Sequence, residues 1–274
     1  MPADDPFAAF KQRQREAWAS FAPTALFTTP VAAHIVRFAQ VAPGESVLDV
    51  GTGTGVAAIT AARAGASVKA LDLTPELLDH ARENEELAGL SGIEWTQGDA
   101  ESLPYPDASF DVVLSQFAHI FAPRPDRTVA EMRRVLKAGG RVAFATWPPE
   151  LLVGRTFAFL GRHSPPPPPG FSPPSLWGDP AFVTAQLSAA FEAPVFERGA
   201  MHVPALSVAH YRTFMERSIG PLQKVVESLA GEPERLAALR AEFEGIAAAH
   251  YAENVVEQAY LLTRAALRST SADR

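Results

Sequence analysis

Val47-Leu48-Asp49-Val50-Gly51-Thr52-Gly53-Thr54-Gly55 decides how this chain folds. Its first part, Val47 to Val50, is a short β-prone run, apolar except for Asp49. Its second part alternates glycine with threonine, so the backbone can turn sharply and approach a ligand with no Cβ in the way. An Ala-rich helix, Val56 to Ala64, follows, and Gly65 stands just past its end, a usual place for a terminating glycine. A strand, a glycine turn and a helix open a parallel α/β unit.

Downstream the pattern repeats. Ser67 to Leu71 reads as a second strand, ending in Asp72. Thr74 as N-cap, Pro75 at the first helical position and Glu76 in the first turn start a helix that runs to about Ala88 and stops at Gly89. Ile93 to Trp95 is a third strand leading into Gly98-Asp99-Ala100, and Phe110 to Leu114 a fourth, with Ser115 to Phe121 as the loop beyond it. A helix carrying Val129, Met132 and Leu136 is expected to end at Gly139-Gly140, before a fifth strand, Arg141 to Thr146. Strands alternating with helices imply right-handed crossovers, hence an α/β fold with a doubly wound, mostly parallel, Rossmann-like sheet.

Upstream, Phe7 to Phe21 has the spacing of an amphipathic helix around a polar Lys11-to-Glu16 stretch, and a second helix is expected after Pro30, with Val31, Ile35 and Phe38 on one face. Past Trp147, the run Pro165 to Pro169 suits an extended surface crossing. Asp179 to Phe191 reads as helix, Val195 to Val203 as strand, and Ser207 to His250 as helices broken at Gly220-Pro221 and Gly231-Glu232-Pro233. Val255 to Leu267 allows strand or helix. Three stretches result: an N-terminal helical lid (1–42), a cofactor-binding core (43–150), and the rest of the sheet with a helical substrate cap (151–274).

Composition narrows the function. The 274 residues carry 24 Lys+Arg against 31 Asp+Glu, a net charge of −7, with no Lys/Arg-rich block, which argues against a nucleic-acid partner. Cysteine is absent, so disulfides and thiolate chemistry are excluded. His34, His163, His202, His210 and His250 are scattered without ligand spacing, so no metal site is expected. No apolar run approaches the roughly 20 residues of a membrane helix, and Met-Pro-Ala-Asp-Asp lacks a secretory layout, so a cytoplasmic protein without membrane insertion is expected. Oligomeric state is left open.

In an open parallel sheet the ligand crevice lies beyond the carboxyl ends of the strands. Asp72, 21 positions beyond Gly51, falls where a nucleoside ribose would lie. A dinucleotide fingerprint asks for a third small residue five places after the first glycine. Here Val56 stands at that position, and Gly55 comes one residue early. Asp49 would repel a pyrophosphate but attract an ammonium or sulfonium. A cationic nucleoside fits these residues best.

With Gly98-Asp99-Ala100, Phe110-Asp111-Val112-Val113 and Arg134-Val135-Leu136-Lys137-Ala138-Gly139-Gly140 added in order, the chain resembles class I S-adenosylmethionine-dependent methyltransferases, most closely the small-molecule group around ubiquinone/menaquinone biosynthesis. Trp177-Gly178-Asp179-Pro180 is a further, shorter match. The resemblance implies S-adenosyl-L-methionine as cofactor. Asp49, Gly51, Thr52 and Gly53 would face its methionine end and Gly55 would shape the turn. Asp72 would hold the ribose, Leu73 cover the adenine, Asp99 and the Ala100 N–H pair with its edge, and Ser115 meet the amino-acid portion. Gln116, Phe117 and His119 would point toward the acceptor, with His119 as candidate catalytic base, and Trp18 and Phe21 would belong to a closing helix. Methyl transfer by in-line displacement onto a small, largely apolar molecule is the expected activity. A non-catalytic binder of the same cofactor, or a nicotinamide oxidoreductase, is the alternative. Phe157, Phe159, Phe171, Trp177, Phe182, Tyr211, Phe214 and Met215 are candidates for an apolar roof over the acceptor.

Overall fold

The computed structural model describes residues 5–268. β1 (Ser46–Val50), β2 (Ser67–Asp72), β3 (Glu94–Gln97), β4 (Phe110–Gln116) and β5 (Leu136–Thr146) pair in parallel in the order β3-β2-β1-β4-β5. β8 (Val255–Ala266) joins β5 antiparallel, and β6 (Val195–Pro204) closes the far edge against β8. β7 (Tyr251–Ala252) folds back on β8 through a two-residue turn, Glu253-Asn254, in which both residues have positive φ, as a tight hairpin requires. The strand order reverses at β1, so the carboxyl ends of β1 and β4 diverge into a crevice. The expected α/β, doubly wound, mostly parallel sheet is present.

The parallel strands are short and almost fully buried because helices cover both faces. In β1 the four residues Val47 to Val50 are all buried, Asp49 included. α3 (Val56–Arg63) follows the glycine turn and α4 (Pro75–Leu87) follows β2. Thr74 stands at the N-cap of α4 as expected, but its side chain makes no capping bond. Asp72 Oδ1 instead accepts the Thr74 N–H at 2.8 Å. Arg141 fastens α2 (Ala25–Phe38) to the sheet, donating to Ala39 O at 2.5 Å while pairing with Glu45 at 2.7 Å.

Several boundaries differ from the sequence reading. α2 begins at Ala25, not after Pro30. Pro30 lies inside the helix, preceded by a turn in which the Thr28 and Thr29 hydroxyls both donate to Ala25 O at 3.0 and 2.9 Å. α2 lays Val31, Ala32, Ile35 and Val36 into the core, whereas α1 (Ala8–Trp18) buries Lys11. α5 (Pro125–Val135) ends at Val135 rather than at the glycine pair. Leu136 already pairs with Phe110, and the register with β4 shifts across the intervening residues before Val112 meets Arg141. β3 starts at Glu94 and β4 runs on to Gln116. Val255 to Ala266 is a strand, held on both edges. α6 (Leu152–His163) was not read from the sequence; α7 (Pro180–Leu187), α8 (Val208–Ser218), α9 (Gly220–Ser228) and α10 (Pro233–Ala248) fill the stretches expected to be helical.

Ile35 is fully buried where α2 meets the sheet. Ile35→Ala should lower unfolding free energy by about 2–5 kcal/mol, the range for large-to-small core substitutions, read as a fall in the urea midpoint with an unchanged slope.

Candidate functional site

The turn after β1 is held by its backbone. Gly51 and Thr52 donate to Leu71 O at 2.7 and 2.9 Å, and Gly53 donates to Asp72 Oδ2 at 2.8 Å. At Gly51 (φ +70°) an added Cβ would lie 2.2 Å from Ala118 Cβ, so glycine lets the turn nest against the segment after β4. At Gly53 (φ +56°) an added Cβ would meet nothing within 4 Å: its missing side chain opens space above the turn. A cavity runs over these residues, lined by Asp49, Gly51, Thr52, Gly53, Asp72 and Leu73, and continues past Asp99 and Ala100. Gly55 does not line it. It sits at the N-cap of α3 with φ +84°, shaping the turn.

Asp49 is completely buried. Its Oδ2 accepts from the Thr52 hydroxyl at 2.6 Å, while Oδ1 has no hydrogen-bond partner among the described residues. Burial pushes its carboxyl up to about 7, the Thr52 bond opposing and the charge of Asp72 adding to the rise. Asp72 is raised too, chiefly by burial, against the Thr74 and Gly53 N–H bonds. Two buried acids and a backbone that leaves room beside them form a receptor for positive charge, not for phosphate. The donor set fits a sulfonium nucleoside with a free ammonium.

Not every residue expected at the site is there. Ser115 is buried beneath the turn, donating to Val50 O at 2.7 Å and accepting the His119 N–H at 3.1 Å, and it does not line the cavity. Its hydroxyl braces β4 against β1 instead of meeting a ligand. His119 borders the cavity, but its ring packs between Phe144 and Trp177 at 4.5 and 4.6 Å with neither nitrogen bonded among the described residues. Burial holds its pKa down to about 3, which makes it a weak acceptor of a proton. His119 thus meets the cavity through an imidazole packed among aromatic rings. Asp111, read as structural, accepts from Ser46 N–H and Lys137 Nζ, both at 2.8 Å.

The cavity extends from the nucleoside end toward the other half of the sheet. Phe117, in the left-handed region at φ +60°, stacks on Trp147 with centroids 3.9 Å apart, and such a conformation in a bulky residue is held only by its surroundings. Phe157, Phe214 and Met215 of the expected roof line this end, whereas Phe159, Phe171, Trp177, Phe182 and Tyr211 do not. Gln116 donates through Nε2 to Thr28 O at 2.9 Å, which fixes the amide's orientation, and its buried Oε1 has no partner among the described residues. Trp18, the last residue of α1, and Phe21, beyond it, line the cavity. Lys11, Gln14 and Gln258 also line it and were not singled out from the sequence.

Residues 48–144 match the family model described as a methyltransferase domain. An uncharacterized protein of Mycobacterium tuberculosis, Rv1403c, is 32% identical over 234 residues, covering 85% of each chain. Aklanonic acid methyltransferase DauC of a Streptomyces species is 34% identical over 150 residues, 54% of this chain and 64% of its own. Among solved structures, a Bacillus halodurans protein described as a candidate methyltransferase superposes with a TM-score of 0.60 at 24% identity, covering 87% of this chain and 99% of its own. At that identity the likeness speaks for the fold alone.

Because the unfolded imidazole takes up a proton near 6.5 and the buried ring does so only near 3, His119 should make the fold lose stability as pH falls through 6.5. An imidazole NMR titration of the folded protein should show His119 neutral throughout pH 5–8. A His119 midpoint near 6.5 would contradict the packing.

Proposed function

This chain belongs to the class I S-adenosylmethionine-dependent methyltransferases, and from that footing we propose that it methylates a small, largely apolar molecule of the phenol or quinol kind. One observation carries the reading: the cavity divides by charge along the sheet. Asp49 lies within β1, Asp72 ends β2 and Asp99 follows β3, with Lys11 bonded to Asp99. Past β4, β5, β8 and β6 the lining is Gln116, Phe117, Trp147, Gln258, Met201 and Val203, and the helices above add Phe157, Phe214 and Met215. No charged side chain lines that half among the described residues. A charged acceptor would lose its hydration there without replacement.

S-adenosylmethionine, when bound, supplies an electrophilic methyl on sulfur. The chain's own part is to hold two reactants in line and dry, worth about 7–11 kcal/mol of barrier when the geometry is right. We assign Asp72 to the ribose hydroxyls, Leu73 to the adenine face, and Asp99 with the Ala100 N–H to the adenine edge. Asp49, with the Gly51-Thr52-Gly53 backbone, takes the methionine end. Gln116 Oε1, anchored from behind by Thr28, is an acceptor for a hydroxyl on the incoming molecule. With burial making His119 a weak base, the acceptor's hydroxyl proton passes to bulk water, before the acceptor is enclosed or as product leaves. A relative named for aklanonic acid supports a small organic acceptor. The helices over the chamber then serve as a substrate cap and α1 as a lid.

Incubation with methyl-labelled cofactor and a panel of phenols, quinols, anionic metabolites, protein and nucleic acid tests the proposal. Label should enter the apolar hydroxylated aromatics; label confined to macromolecules or to anionic metabolites would overturn it. Phe157→Ala should raise the acceptor KM about tenfold, the loss of part of a buried aromatic face, with cofactor affinity unchanged. Asp72→Ala should weaken cofactor binding by about 1.5–3 kcal/mol, measured by calorimetry; equal affinity in a folded variant would remove Asp72 from the ribose.

A further inference from the structure

α1 is seated by a charge. Its sequence is polar on most faces, and its one buried residue is Lys11. Burying an ammonium costs several kcal/mol unless every donor is matched. Here the three donors meet three carboxylates: Asp99 Oδ2 at 2.6 Å, Glu101 Oε2 at 2.7 Å and Asp5 Oδ2 at 2.8 Å. The three acids come close enough together to suggest a cation site, and the cation they converge on is Lys11.

The three carboxylates are not equally dependent on it. Glu101 also accepts from the Arg124 guanidinium and from the Arg124 N–H, and Asp5 accepts from Arg124 and from the Phe7 N–H at 3.0 Å. Asp99 has only Lys11 and the Glu101 N–H at 2.9 Å, one bond on each oxygen. Among these acids Asp99 alone lines the cavity. Two cations face three anions, and the negative charge left over is open to the cavity only at Asp99. Loss of Lys11 would free Asp99 to turn while Glu101 and Asp5 stay paired.

We propose that Lys11 is a cofactor-positioning residue: from α1 it holds the Asp99 carboxylate in the orientation that accepts the adenine amino group, so the nucleoside site is complete only with α1 in place. This rests on the assignment of Asp99 to adenine made above. The same helix face carries Gln14, donating to Phe121 O at 3.1 Å, and Trp18, 4.6 Å from the Phe121 ring, and both line the cavity. Recognition of adenine at one end is therefore tied to the wall of the acceptor chamber at the other.

The test compares binding of S-adenosylhomocysteine with S-inosylhomocysteine, which carries a carbonyl in place of the adenine amino group. Wild type should prefer the adenosine compound about tenfold or more, the size of a charge-assisted hydrogen bond. Lys11→Met should bring the ratio to within about threefold by weakening mainly the adenosine compound. Asp5→Asn, which loosens the same anchor without touching the Lys11–Asp99 bond, should keep the wild-type ratio. If Lys11→Met weakens both compounds equally, Lys11 is only a helix anchor and the proposal fails. If wild type itself does not discriminate, the adenine assignment of Asp99 fails first. A second readout needs no variant: amide exchange across Ala8–Trp18 should be slowed more by S-adenosylhomocysteine than by S-inosylhomocysteine at equal saturation, and equal slowing would overturn the coupling.

Discussion

A fully buried carboxylate with one oxygen unpartnered among the described residues is the constraint around which this molecule is arranged. Asp49 sits within β1 where the sheet order reverses, and burial outweighs what its neighbours offer: the Thr52 hydroxyl and the Ala58 N–H help and Asp72 repels. With burial raising its carboxyl to about 7 against an ordinary value of 3.8, the fold by itself binds a proton there that the unfolded chain releases. Stability from this group is present at low pH and is lost as pH rises from about 4 through 7. Buried acids perturbed in this way cluster at functional sites.

The rest of the site follows from how the sheet distributes chemistry. On one side of the reversal, successive strands bring acids within or just beyond their carboxyl ends, and a glycine turn leaves room beside them. On the other, strand ends and the helices above present aromatic and thioether side chains around two amides. α1 spans both halves, pinned by Lys11 to the acidic side and by Trp18 to the aromatic side. In the proposed reading the cofactor's positive end and the acceptor meet at the reversal.

Much of this was legible in the chain because glycine turns and strand-ending acids carry their reason in the residues themselves. Gly51, Gly53, Asp72 and Asp99 are needed at those positions by geometry or charge, and the structure brings them to one cavity. The surroundings of Ser115 and His119 were not legible because proximity to a strand end does not tell which way a side chain turns; one braces β4 against β1 and the other borders the cavity packed among aromatics. The end of α5 was misplaced because Leu136 continues the helical period of Val129 and Met132 while already pairing with Phe110. Val255 to Leu267 was ambiguous because the alternation that marks a strand holds only to Tyr260, and Leu261 to Thr263 are buried in succession between two paired edges. Lys11 had no local signal at all: one lysine in a polar helix becomes exceptional only when residues some 90 positions away close around it.

The central claim is that Asp49 ionises to receive the positive end of the cofactor. Titration calorimetry of S-adenosylmethionine at pH 6, repeated in buffers of different ionisation enthalpy, reads the protons exchanged on binding. The account predicts release of most of one proton per site by wild type and none from Asp49→Asn, which should also bind more weakly. Binding by wild type without proton release, or with the same release from Asp49→Asn, would contradict it.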